Sequence, residues 1–435
     1  MMQLIKDLWF KRRDIVSQGF DESLEYIAKQ IPLKVHKVPS GTECFTWIVP
    51  EKWEVKQAFV EDGEGKKIID AKDHPLHVMS YSLPIDRVVS REELLRHLHS
   101  RPGRPDAIPF EFKYYERDWG LCIQHSRLKE LKESKYRVLI DSSFEKGSLK
   151  IGECLIKGKT DETIVLVAHL CHPCMANDDL SGVAVLVETA KELLKAKPKY
   201  TYSCLFLPET IGSIAFLSQN MQLIPNLKYG IFLEMLGSNS NTLALQHSRQ
   251  GNSAIDRIAK FALESSGRQF REGAFREIVG NDEMVFNGPG INIPMISLSR
   301  YPYPEYHTSD DNLGIISEEK LNEAKEAVLR VVEILEKDFV PKRKFIGPVF
   351  LSRYGLWVDW RKDFELNRNI EKIMLSLEGD KSVFEIAAEL GMGFEKTLAY
   401  VEKFLEKGLV EKLEAKKAAK RALGKKKEKI GFRKK

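Results

Sequence analysis

The sequence predicts an α/β protein: a mostly parallel sheet covered by helices on both faces, with a small β-rich insertion and a C-terminal winged helix. Three observations carry this. Between about 130 and 340, near-continuous apolar runs such as "IVLVAHL" alternate with helical periods such as "SGVAVLVETAKELLKA", the pattern of strands buried on both faces. Between about 45 and 125 the runs are shorter, β-prone and separated by Gly, Pro, Asp and Lys. From about 362, three short helical periods and a closing "LVEK" follow a link rich in Pro and Lys, with the lengths of a helix-turn-helix and wing.

Residues 1 to 31 read as an amphipathic helix, with Leu4, Leu8, Ile15, Leu24, Ile27 and Ile31 at roughly helical spacing until Pro32. The insertion strands are expected in "FTWIVP", "KQAFVED", "KIIDA", "HVMSYSLPI" and "FEFKYYERDWGLCI". "SREELLRHLHS" is a helix among them, opened by a capping-box pattern at Ser90 and Glu93. The sheet continues through "YSCLFLP", "YGIFLEML" and "NIPMISLS", with helices from about 212, over "SAIDRIAKFALESSG" and over "SEEKLNEAKEAVLRVVEILEKDF". The expected domains are therefore 1–45 with 126–345, the insertion 46–125, the winged helix 346–412 and a basic tail 413–435.

Residues 412 to 435 hold 12 Lys/Arg against 2 Asp/Glu, leaving 56 basic and 61 acidic residues elsewhere. The body is mildly acidic and the net charge of +5 belongs to the tail. No segment approaches 18 uncharged apolar residues, and the charged N-terminus excludes a signal peptide, so a cytoplasmic protein without a membrane partner is expected. The six cysteines, mostly within apolar runs, read as reduced thiols. Cys171-His-Pro-Cys174 resembles a dithiol motif, but Pro173 lies inside it and the helix begins only after Asp179.

The chemistry gathers at strand ends. His169 closes "IVLVAH"; Asp178 and Asp179 follow before a Ser-Gly helix start, where an N-cap is the plain alternative. The next two strands run into Glu209 and Glu234, while Asp282, His307 and Asp310 lie further on. A carboxylate placed directly after an apolar strand, twice running, suits a site at the sheet's carboxyl edge. One His, one Asp, two Glu and a distant His form a donor set for zinc. With a bridging Asp the set serves two-metal hydrolysis, with a Glu as general base.

This pattern resembles the di-zinc exopeptidase clan, which contains the bacterial leucyl aminopeptidases, and more closely the aminopeptidase-like-domain proteins with a β-rich insertion and a C-terminal winged helix. "HPLHVMSYSLPID", "YYERDWGLCI", "HLCHPCMANDDLSG" and "LPETIGS" carry the resemblance, which spans nearly the whole chain. It implies a zinc aminopeptidase-like catalytic domain. It also implies His169 as the ligand histidine of the clan's H-x-D, Asp178 as the bridge, Glu234 as ligand of a first ion, His307 as ligand of a second, and Asp282 as a supporting carboxylate.

Two positions depart from the clan. Its H-x-D aspartate is Cys171, and its Glu-Glu pair is Glu209-Thr210. Glu209 is then either the base, with one metal short of a donor, or itself a ligand, and His172 and Cys171 become candidates for direct or supporting metal roles. The expected cofactor is zinc, two ions or a reduced site with one. The resemblance implies a hydrolase removing an N-terminal residue from a small peptide or amide conjugate. Two rivals stand beside it: a degenerate peptidase fold acting as a winged-helix regulator, and an amidase or deacylase of a modified sugar or amino compound.

The insertion could cap the site, with Tyr114, Tyr115 and Trp119 at a substrate mouth or simply packed in strands. The third winged-helix segment interleaves Glu395, Glu402 and Glu406 with Lys396, Lys403 and Lys407. It lacks the basic surplus of a phosphate-reading helix, which favours a protein contact or homo-oligomer. The tail could still give salt-sensitive contact with nucleic acid.

Overall fold

A computed structural model of the protein describes residues 1–239 and 242–413, so the tail from 414 lies outside the described residues. The chain forms two compact units, Met1–Arg257 with Arg268–Val328, and Ile258–Gly267 with residues from Leu329 onward.

The first unit is mixed α/β around an eight-stranded sheet flanked by helices. Strands Thr201–Leu207, Thr163–His169, Leu227–Leu233 and Met295–Ser299 lie side by side in that order and run parallel. Every residue of the first two is buried, which accounts for their unbroken apolar sequences: a strand covered on both faces has no side to give to polar residues. Outside this centre the only parallel pairing in the sheet, among the described residues, is between the short edge strands Ala244–Gln246 and Arg271–Gly273. Ser148–Ile156 and Lys34–Pro39 add antiparallel strands at one edge. Ala244–Gln246 pairs antiparallel with Met295–Ser299 at the other and carries the short strand Arg271–Gly273. The expected helices appear as Leu180–Lys195, Ile211–Gln219, Ala254–Ser265 and Glu318–Lys337.

The N-terminal helix is not one element. It forms as Met2–Leu8 and Gln18–Ala28, interrupted by a turn at residues 9–17. The reason is Arg13, wholly buried. Its guanidinium donates to the carbonyls of Leu8 (2.5 Å), Trp9 (3.2 Å), Leu170 (3.0 Å), His172 (2.8 Å) and Met175 (3.0 Å). A continuous helix would leave that cation without these acceptors, and a buried charge must find them. Ser17 then caps the second helix through Phe20 N.

The first unit also holds an antiparallel sheet in the order Lys67–Asp70, Lys52–Glu61, Lys135–Glu145, Ile85–Ser90, within the region expected as an insertion. Its central strand Lys135–Glu145 thus lies beyond the expected limit at 125. Ser90 caps helix Arg91–Arg96 by accepting from Glu93 N, but the Glu93 carboxylate turns to Arg87, so the box is half made. The aromatic stretch from 110 is also not a strand. Leu121–Cys122 forms a two-residue strand with Leu98–His99 and Phe112 makes an isolated bridge to Ser80, while residues 108–110 are committed to the His307 loop: Phe110 N donates to His307 O (2.9 Å) and Ser309 N to Ile108 O (2.8 Å).

In the second unit, helices Phe364–Ser376, Val383–Leu390 and Phe394–Glu406 precede strand Val410–Leu413, which pairs antiparallel with Val340–Arg343. Ser382 and Glu385 form a complete capping box, and Gly391 closes that helix at a φ of 63°, a conformation open to glycine at little cost. Among the described residues no helix is long and apolar enough to cross a membrane.

Candidate metal centre

Four parallel strands deliver their carboxyl-end residues to one place. His169 ends its own strand, Glu209 and Glu234 follow theirs by one or two residues, and His307 hangs from the loop after Met295–Ser299. Asp178, nearly buried, lies between the histidines, with its Oδ1 3.1 Å from His169 Nε2 and its Oδ2 3.1 Å from His307 Nε2. Glu234 Oε2 is 3.8 Å from His169 Nε2. Despite these short distances, His169 Nε2, Asp178 Oδ2, Glu234 Oε1 and His307 Nε2 are buried and have no hydrogen-bond partner. Donor atoms that crowd together without bonding one another are arranged to share a cation, so the residues present fit zinc.

The electrostatics ask for the same charge. Burial pushes the Glu234 carboxyl up to about 8, against His169, and Asp282 up to about 7, against its bond from Ser213. Burial likewise raises Glu209 and depresses His172 to about 3, which leaves its imidazole neutral. Burial raises the Asp178 carboxyl, but its contacts with His169 and His307 outweigh that and hold it well below the usual carboxylate range.

The Asp178-Asp179 pair divides the two readings of the motif. Asp179 is the N-cap: it accepts from Gly182 N (3.0 Å), His169 N (3.2 Å) and Met235 N (2.9 Å). Asp178, released from capping, faces the cluster. A Cβ at Gly182 would overlap the Asp179 carboxylate and the Leu233 carbonyl. Gly182→Ala is therefore expected to destabilise the protein by about 1–3 kcal/mol, the usual range for overpacking; an unchanged urea midpoint would show that the helix start can shift freely.

Backbone strain collects at the same strand ends. His172, Cys174, Thr210, Met235 and His307 all have positive φ, between 52° and 88°, each costing on the order of 1–3 kcal/mol. Every one is tied down. Arg13 holds His172 O, Cys174 N donates to Lys11 O, Thr210 N donates to Asp282 Oδ1 (3.0 Å), Met235 N to Asp179, and Phe110 N binds His307 O.

Asp282 acts as a brace through Oδ1, which also accepts from Ser213 (2.5 Å), while its Oδ2 is buried with no hydrogen-bond partner. Asp310 turns away to Arg104. Cys171 Sγ accepts from Glu209 N (3.1 Å) and lies 3.9 Å from His169 Nδ1; Cys174 donates to Phe10 O. Both thiols are free and each has a separate bond.

Four residues escaped the sequence reading. Asp311 accepts from the amides of Ala176, Asn177 and Asp178 (3.0, 2.6 and 3.1 Å) and from Tyr303, fixing the bridge; its signal was the doubled Asp after His307. Arg13 had none. Phe110 packs edge-on to both His172 (5.2 Å) and His307 (5.3 Å), while Tyr306 stacks on His307 at 3.8 Å, so aromatic rings from residue 110 and from the His307 loop wall the cluster.

Known proteins place this architecture. Residues 2–338 match the family model described as "Domain of unknown function (DUF4910)". A Clostridium acetobutylicum protein named "Putative polysaccharide biosynthesis protein with aminopeptidase-like domain" is 37% identical over 400 residues, covering 90% of this chain and 92% of its own. The crystal structure of a "putative peptidase" from Clostridium acetobutylicum, 34% identical, covers 95% of this chain and 96% of its own with a TM-score of 0.85. BSAP, a zinc aminopeptidase from Bacillus subtilis, shares the fold at 14% identity, with a TM-score of 0.57 over 77% of this chain and 93% of its own. The match over most of its length, with the sheet that supports it, makes this chain a member of the DUF4910 family.

Proposed function

We propose that this protein is a metal-dependent, aminopeptidase-like hydrolase that removes an N-terminal residue from a small peptide or an amide conjugate. The observation that carries this reading is the set of buried, unbonded donors at His169, Asp178, Glu234 and His307. When bound, a zinc pair supplies Lewis-acid polarisation of the scissile carbonyl and a water of lowered pKa. Glu209 keeps about a quarter of its side-chain surface exposed, as a group that meets substrate must. It takes the water's proton and returns it to the leaving amine. Phe110 and Tyr306 exclude bulk solvent, and the insertion limits the length of chain that can enter.

The test is metal content and turnover together. Protein re-equilibrated with zinc is expected to carry about two ions per chain and to release the amine from aminoacyl-anilides. Chelation should abolish release and zinc restore it. A metal-loaded protein inert toward every free amino-terminal amide would sink the peptidase reading.

One observation favours a second substrate class. The 37% identical relative is named for polysaccharide biosynthesis, which suits an amidase or deacylase acting on an amino sugar at the same centre. Turnover of N-acylated amino sugars with silence toward anilides would decide for it. The C-terminal unit, read as a winged helix, suits a protein partner better than DNA, since Lys396 is engaged by Glu365 (2.7 Å) and Glu395 by Arg330.

A further inference from the structure

We infer that His172 is a metal ligand, supplying the donor that the Glu209-Thr210 pair lacks and leaving Glu209 free for proton transfer. The inference rests on the hydrolase reading above and adds the composition of its second metal site.

The geometry places His172 among donors. One atom each from His172, Asp178 and His307 lie within 4.8 Å of one another, and the His172 ring is 4.8 Å from that of His169 and 5.0 Å from that of His307. The orientation of the ring follows from its other nitrogen. His172 Nδ1 lies 3.1 Å from the Cys171 carbonyl, which can only accept, so Nδ1 carries the proton and Nε2 the lone pair. This is the arrangement in which a backbone acceptor fixes a ligating imidazole. Nε2 points toward the carboxylates, 3.4 Å from Glu209 Oε2.

Thr210 cannot fill the vacancy left by a missing carboxylate. A neutral hydroxyl is a weak donor to zinc, and its amide is bound to Asp282. With His172 included, the donors separate into two sets of three that share one residue: His169, Asp178 and Glu234, and Asp178, His172 and His307. Three protein donors and an open position describe a catalytic zinc site. The loop carrying His172 is built to hold it there, since Arg13 clamps the carbonyls of Leu170, His172 and Met175.

A competing cluster exists on the opposite side of the imidazoles. His169, Cys171 and His172 also bring donor atoms together, with Cys171 Sγ 3.6 Å from His172 Nδ1. That arrangement would make the sulfur a ligand and draw it from the Glu209 amide. The two can be told apart spectroscopically.

The test compares zinc content per chain, chelator-competition affinity and the cobalt(II) spectrum for wild type, His172→Ala, Glu209→Gln and Cys171→Ala. The wild type should bind two ions, His172→Ala one at the undiminished affinity of the first site, and Glu209→Gln two. No thiolate-to-cobalt charge-transfer band should appear, and Cys171→Ala should keep both ions. Retention of both by His172→Ala would overturn the assignment while leaving the hydrolase reading intact. So would loss of both, which would make His172 a support of the loop, or a cobalt-thiolate band. Loss of the second ion in Glu209→Gln would make Glu209 the ligand and overturn it too. A wild type that binds no metal would remove the hydrolase reading and this assignment together.

Discussion

Glu209→Gln is expected to lower kcat/KM for an aminoacyl-anilide by about 10²–10⁴-fold, the usual contribution of general acid-base catalysis, with the metal content unchanged. The change keeps the side chain's volume and removes only its capacity to hold a proton. Nothing in the backbone depends on the carboxylate: the Glu209 amide donates to Cys171 Sγ, and the following residue is held by Asp282. The loss should fall on kcat with little change in KM, because a base acts on the reacting water and not on the bound substrate. Steady-state kinetics on the zinc-loaded protein decide it, and turnover within a few-fold of wild type would move the base to another residue.

Arg13→Met carries the second large effect. Its guanidinium saturates all five N–H groups on backbone carbonyls, with three of them on the 170–175 loop. Methionine fills much of the space but leaves buried acceptors without a donor, at roughly 1–3 kcal/mol for each that water cannot reach. A loss of about 3–5 kcal/mol is expected on that scale, a large share of the roughly 5–15 kcal/mol that holds a typical protein folded. Urea denaturation of metal-free protein measures it directly, without the added stability of a bound ion. A loss under about 1 kcal/mol would show that the loop finds other donors.

The parts of the site visible in the sequence were those whose position in a strand is itself the signal. His169, Glu209 and Glu234 stand at the ends of apolar runs, and the sheet turns that spacing into proximity. The bracing residues gave no such sign. Arg13 lies in a stretch with helical periodicity, and its acceptors at 170–175 are more than 150 positions away; local pattern cannot report a contact of that range. Residues 110–120 are aromatic and β-prone, so propensity points to a strand, yet tertiary contact with the His307 loop prevails. The Asp178-Asp179 ambiguity was real at the level of sequence, since either carboxylate can cap a helix. Only the positions of Gly182 and Met235 amides give that task to Asp179.

The span of the bracing contacts has a consequence for synthesis. His169 and Asp178 emerge long before His307 and Asp311, and at roughly 5–20 residues per second the ribosome needs on the order of ten seconds to make the stretch between them. During that interval the nascent chain displays two histidines and two thiols near residue 170 with no sheet to orient them, a loose chelator open to whichever transition metal is most avid. Discrimination in favour of the working ion therefore belongs to the completed fold. Loading of such a site with the correct ion would then follow the closing of the chain around Asp178.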